Sequence, residues 1–147
     1  SAARDFYLPL SSRNLLTKVE RTTVPFDAMG NAISANQTLI RQNIVFLFEK
    51  LHGVSLSPNH QDVTDALNVF NSTYQKGQEK IKAAGSNMTL ANSLKNLPAM
   101  CQVTRDLATN TVNLSTAERI TVDDNYVIRS WMAVLYYLLG DSCYNYE

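Results

Sequence analysis

The sequence predicts a mainly α fold: a single helical bundle of about four principal helices with an irregular N-terminal arm. Three observations predict it. Segments 35–52, 59–84 and 123–139 carry apolar residues at three-, four- and seven-residue steps, the repeat of one helix face. The last of them is apolar nearly all round, the pattern of a central buried helix. The connectors are short, and short connectors set neighbouring helices antiparallel.

Residues 1–33 read as an irregular arm packing on the bundle, which itself spans 34–147. Phe6, Tyr7, Leu8 and Leu10 form an apolar knot around Pro9. Asn14 to Thr23 is a short helix or an extended strip. Thr22 to Phe26 is expected to be extended, because Pro25 disfavours helix in the residue before it. Gly30 marks a turn.

The first principal helix runs over 35–52, with Ser34 as its N-cap and Gly53 just past its end. Ile40, Ile44, Leu47, Phe48 and Leu51 mark its apolar face. Ser57-Pro58 reads as the next start, a cap followed by proline at a position where its missing N–H costs nothing. Val63, Leu67, Phe70, Tyr74 and Ile81 then carry the periodicity to Gly85. Asp62 and Asp65 near its start and Lys76, Lys80 and Lys82 near its end complement the helix dipole. Gly77 is expected to loosen this helix locally. Pro98 breaks the third helix into 90–96 and 99–110. The final helix is expected to start near Asp123, capped by Thr121 or Asp123, and to end before Gly140. Its Trp131, Leu135 and Leu138 are expected to pack against Phe48, Leu51, Leu67 and Phe70. Its uninterrupted apolar run, Trp131 to Leu139, is too short to span a bilayer.

Composition bounds the function. Net charge is zero, from 13 basic and 13 acidic residues, so no basic footprint for nucleic acid or anionic lipid is present. Charged residues are 18% of the chain; 14 Asn and 12 Thr supply much of the remaining polarity. The first ten residues lack the apolar segment of a secretory signal, and a chain beginning at Ser1 reads as a processed product or a fragment. The two cysteines, low charge and amide-rich surface point to an extracytoplasmic, secreted or periplasmic, setting.

Constellations that carry chemistry are few. Cys101 and Cys143 fall where one helix starts and the next ends, neighbouring places in an antiparallel bundle, so a disulfide between them is expected. It would close a loop of about 43 residues and contribute about 4 kcal/mol on chain-entropy grounds. His52 and His60 flank one loop and, with Asp62, offer at best a loose metal set; two solvent-facing loop histidines are the simpler reading, and no metal is assigned. The carboxylate pairs Asp62/Asp65 and Asp123/Asp124 read as helix-start residues, not as a general acid and base. No nucleophile motif, glycine-rich phosphate loop or cofactor motif is present. Four N-x-S/T sequons occur, at Asn36, Asn71, Asn87 and Asn113.

The aromatic residues say more. Tyr126, Trp131, Tyr136, Tyr137, Tyr144 and Tyr146 crowd the last 22 residues. Tyr and Trp bury large areas at interfaces while keeping a polar handle. The sequence therefore predicts a protein-interaction or structural module, a subunit of an assembly or a domain of a larger protein. Its partner is another protein chain, and Phe6, Tyr7, Tyr144 and Tyr146 are its contact residues. The alternative is a bundle that binds a small apolar ligand or cofactor in a pocket lined by Phe48, Phe70, Tyr74, Trp131 and Met132.

Overall fold

The computed structural model describes residues 18–99, 102, 104, 116 and 119–140. Five helices lie among them: α1 Lys18–Thr22, α2 Ser34–His52, α3 Gln61–Ala84, α4 Met88–Lys95 and α5 Val127–Leu138. The described part is 65% helical, with no strand and two isolated antiparallel bridges, Phe26 with Ala32 and Asn96 with Val122. The mainly α bundle is thus the architecture found.

α3 is the axis of the bundle and packs against α2, α4 and α5. The core draws Ile40, Ile44 and Leu47 from α2, Val63, Ala66, Leu67, Phe70 and Tyr74 from α3, and Val127, Trp131, Val134 and Leu138 from α5. Each large apolar side chain buried there contributes about 1.5–3 kcal/mol. Trp131 is fully buried, and its ring meets Phe70 edge-on with centroids 4.7 Å apart. Its indole N–H donates to the Glu20 carbonyl at 3.0 Å, which ties α1 to the bundle centre. The expected packing of Trp131 and Leu138 with Leu67 and Phe70 is present, while Phe48, Leu51 and Leu135 are half-buried at its margin. A second, smaller cluster of Leu97, Ile120 and Ile128, with Met132 packed on it, lies beside α4 and α5.

Helix ends follow glycine as expected, and helix starts do not follow the expected caps. Gly53 closes α2 in the left-handed region (φ 66°), its N–H donating to the Glu49 carbonyl at 3.0 Å. Ser34 is the first residue of α2, not its cap; Ile33 precedes it and no side chain caps that end. The end is instead tied to the preceding strip, where the Asn36 and Gln37 side-chain amides donate to the carbonyls of Val24 and Pro25. Ser57 and Pro58 belong to the turn before α3. The His60 N–H donates to Ser57 O at 3.0 Å, and Arg41 of α2 donates to Pro58 O at 2.9 Å. His60 is the cap, its Nδ1 accepting the Asp62 N–H at 3.0 Å. α4 begins at Met88, where the Asn87 side-chain oxygen accepts the Leu90 N–H at 3.1 Å.

The last helix starts four residues later than the pattern predicts, at Val127. Asp123 to Tyr126 form a turn, closed by the Tyr126 N–H on Asp123 O at 3.2 Å, and Tyr126 adopts positive φ (66°). Asp123 still serves the helix, but from outside it. Its carboxylate accepts the N–H groups of Ile128 and Arg129, each at 2.9 Å. Two orphan donors of the first turn are thereby satisfied by one buried charge. The segment expected as helix over 99–110 falls largely outside the described residues.

Candidate functional site

Three places combine shape or charge in a way that bears on function. The first is a half-open groove of 880 Å³ between the turn at 24–30, the second half of α3 and Asn125. Phe26 stacks on Tyr74 within it, ring centroids 6.0 Å apart and planes at 30°. Burial pushes the Tyr74 phenol above its ordinary value of 10.0. Much of the groove's polar lining is already committed. The Asp27 carboxylate accepts the N–H groups of Met29 and Asn31, both at 2.9 Å, and so holds the turn. The Gln78 amide donates to Asn125 O at 2.8 Å. Gln75, Glu79 and Lys82 complete the rim. This is a surface on which an apolar group can rest; it pairs no nucleophile with a base.

The second is the end of the bundle where α2 finishes, α3 begins and α5 finishes. Tyr126 at the start of α5 meets Gly77 late in α3, and Tyr137 near the end of α5 feels Asp65 and Asp62 early in α3, so the two helices run antiparallel. At this end Val54 is 42% exposed, Tyr137 48% and Leu139 58%. Desolvation, then the Asp65 and Asp62 carboxylates, raise the Tyr137 phenol above 10.0. His52 lies against Phe48, with ring centroids 5.8 Å apart, and His60 caps α3. Each histidine has a local structural partner. Among the described residues no group of three or more His, Cys, Asp or Glu is placed to hold a metal ion.

The third is a charged cluster at the start of α5. Asp123 is buried, and Arg129 Nη1 lies 3.3 Å from its carboxylate. The same guanidinium donates through Nη2 to the Asn96 carbonyl and lies over the Tyr126 ring, 5.1 Å from its centroid. The same ring packs closely against Gly77. A Cβ at Gly77 would collide with the Tyr126 ring. Gly77 is therefore a socket and not the loosened point the sequence suggests. Asp123 and Arg129 are paired with each other and with neighbouring backbone groups, so the cluster organises the start of α5.

The residues that the sequence marks for pairing or contact, Cys101, Cys143, Phe6, Tyr7, Tyr144 and Tyr146, lie outside the described residues. The lining expected for an apolar ligand is split: Phe70 and Trp131 are packed core, and Tyr74 alone of that set lines the groove. Sequence reasoning named Asp123 as a candidate cap of the last helix but not its burial, and it missed the groove, which nothing local signals. Two sequons prove to be structural. The Asn71 and Gln37 amides exchange hydrogen bonds between α3 and α2 at 3.1 and 3.3 Å, and Asn36 is committed to Val24. No helix among the described residues is long and apolar enough to cross a membrane. No family model, curated protein or solved structure matches this chain.

Proposed function

We propose that this chain is a protein-interaction or structural module working outside the cytoplasm, as a subunit of an assembly or a domain of a larger protein. One observation carries the reading: Val54, Tyr137 and Leu139 leave apolar surface at the bundle end from which the aromatic C-terminal segment, with Tyr144 and Tyr146, continues. Exposed apolar side chains and aromatic residues are what contact sites are built from. Zero net charge fits a partner recognised by shape and apolar area and not by long-range attraction. The extracytoplasmic part of the reading rests on the Cys101 and Cys143 pair and the amide-rich composition. The test is the native mass of the full chain by light scattering, alone and with residues 144–147 removed. An assembly of the full chain that the truncation dissolves, at unchanged helix content and melting temperature, is the expected result. A monomer in both cases, with loss of folding on truncation, means that the segment seals the bundle instead.

The groove at Phe26 and Tyr74 favours a second reading, a small apolar or aromatic ligand. Saturable quenching of tyrosine fluorescence by such a ligand, lost in Phe26→Ala, would support it over the first.

A further inference from the structure

We propose that α4 is a latched arm that opens as one unit about Gly85–Asn87, with Arg129 as its latch. The helix is weakly anchored by its own side chains. Of its eight residues none is buried, Met88 is 67% exposed and Leu90 46%, and only Ala91, Leu94 and Lys95 are half-covered. An eight-residue helix does not persist in water without tertiary support. Besides its packing against α3, it is held at its two ends. At the first, Gly85 holds φ 53° and ψ −123°, a conformation that side-chain-bearing residues rarely adopt, and a few such residues suffice to absorb a hinge rotation.

At the second end the backbone is closed onto the segment that leads into α5. The Leu97 N–H donates to Thr121 O at 2.9 Å and the Asp123 N–H to Lys95 O at 2.6 Å, forming the bridge between Asn96 and Val122. Arg129 locks this neck. Its guanidinium joins the Asn96 carbonyl on one side to the Asp123 carboxylate on the other, over the face of Tyr126. Two charge-assisted contacts on one planar fork make a stronger tie than two separate neutral bonds. Beneath the neck lies the small cluster of Leu97, Ile120, Ile128 and Met132, separate from the main core. Opening the arm therefore uncovers a compact apolar surface without disturbing the packing around Trp131. Stability in such a molecule is divided into units that open at different free energies.

The test is hydrogen exchange by NMR on the full chain, with the variant Arg129→Met. In the wild type, the amides of Ala91, Asn96, Leu97 and Asp123 are expected to share one opening rate constant and one weak denaturant dependence. Those of Ile44, Phe70 and Val134 are expected to exchange only through global unfolding. Arg129→Met should speed the first group about ten- to a hundredfold, the loss of a charged hydrogen-bonding partner, and the second by a similar factor, because the same contacts are lost when the whole chain unfolds. Arg129→Lys, a point charge that holds one partner and not the pair, should fall between. No acceleration of the first group, or a denaturant dependence of that group as steep as the core's, overturns the latch. If Arg129→Met does not fold, the wild-type data decide alone: a neck that exchanges with the denaturant dependence of the core rules out a separate arm.

Discussion

Tyr126 is a bulky residue with φ 66°, where glycine or asparagine is usual, and its ring is what keeps it there. Gly77 and Arg129 both pack against that ring, and this packing offsets an unfavourable backbone. Gly77→Ala should destabilise the chain by about 1–3 kcal/mol, since the new methyl overpacks the socket. In a Tyr126→Gly background the same change should be neutral or stabilising, by up to about 1 kcal/mol, because alanine is the better helix former. Urea unfolding of the four proteins in this cycle measures the coupling. Tyr74 supports a prediction about pH. Burial raises its pKa in the folded state, so the unfolded chain gives up this proton first as pH climbs. The stability it lends is fully present below about pH 10, the ordinary tyrosine value, and is lost as pH rises through the folded value. Tyr74→Phe should flatten the alkaline side of the melting-temperature profile and leave the neutral region little changed. An identical alkaline slope in the variant would show that other groups set it.

At the scale of elements, α5 depends on two groups outside it, one just ahead and one remote in sequence. Asp123 feeds two of its first N–H groups, and the α1 carbonyl of Glu20 takes the Trp131 indole proton. Trp131→Ala removes the largest fully buried side chain and leaves a cavity against Phe70. A loss of about 3–5 kcal/mol is expected, enough to unfold a marginal domain. Trp131→Phe should cost less, keeping most of the area while leaving the Glu20 carbonyl without its donor. Chemical denaturation followed by circular dichroism ranks the two; equal losses would mean that the indole hydrogen bond, not volume, dominates. α3 and α2 are joined differently, by the reciprocal amide pair of Gln37 and Asn71 and by the Arg41 contacts to Pro58 and Thr64. Such polar bonds fix the register of two helices whose apolar faces alone would tolerate sliding.

For the molecule as a whole, balanced charge is the feature with a measurable consequence. The calculated isoelectric point is 6.7, and a chain near zero charge has little self-repulsion to oppose association. Light scattering across pH should show the greatest association close to neutrality. If the proposed apolar contact drives association, raising salt should change it little. A steep loss of association with salt would instead identify an electrostatic partner surface. The exposed Tyr137 and Leu139 place the candidate contact at one end of the bundle, away from the 880 Å³ groove beside the second half of α3. Binding at one does not by geometry preclude binding at the other.

Much of the bundle was legible in the sequence because helical periodicity is a local property. The spacing of Ile40, Ile44 and Leu47, or of Val63, Leu67 and Phe70, reports a buried face whichever partner covers it, and Gly53 ends α2 through its own φ. The helix starts were not legible in the same way. A cap depends on where an acceptor lands in space: His60 and not Ser57 serves α3, and Asp123, one of the two expected caps, reaches the N–H groups of a helix that begins only at Val127. The candidate sites depend on still longer reach. The groove needs Phe26 over Tyr74, and the socket needs Gly77 against Tyr126, pairs that no local window contains. Sequence alone determined that this chain is helical, which faces it buries and that Trp131 is central. Tertiary structure alone decided that Gly77 receives a ring, that Asn36 and Asn71 are structural amides, and that Arg129 ties α4 to α5. The physical reason is common to all three: each is a contact between segments far apart in the chain, with a geometry set only after the helices have packed.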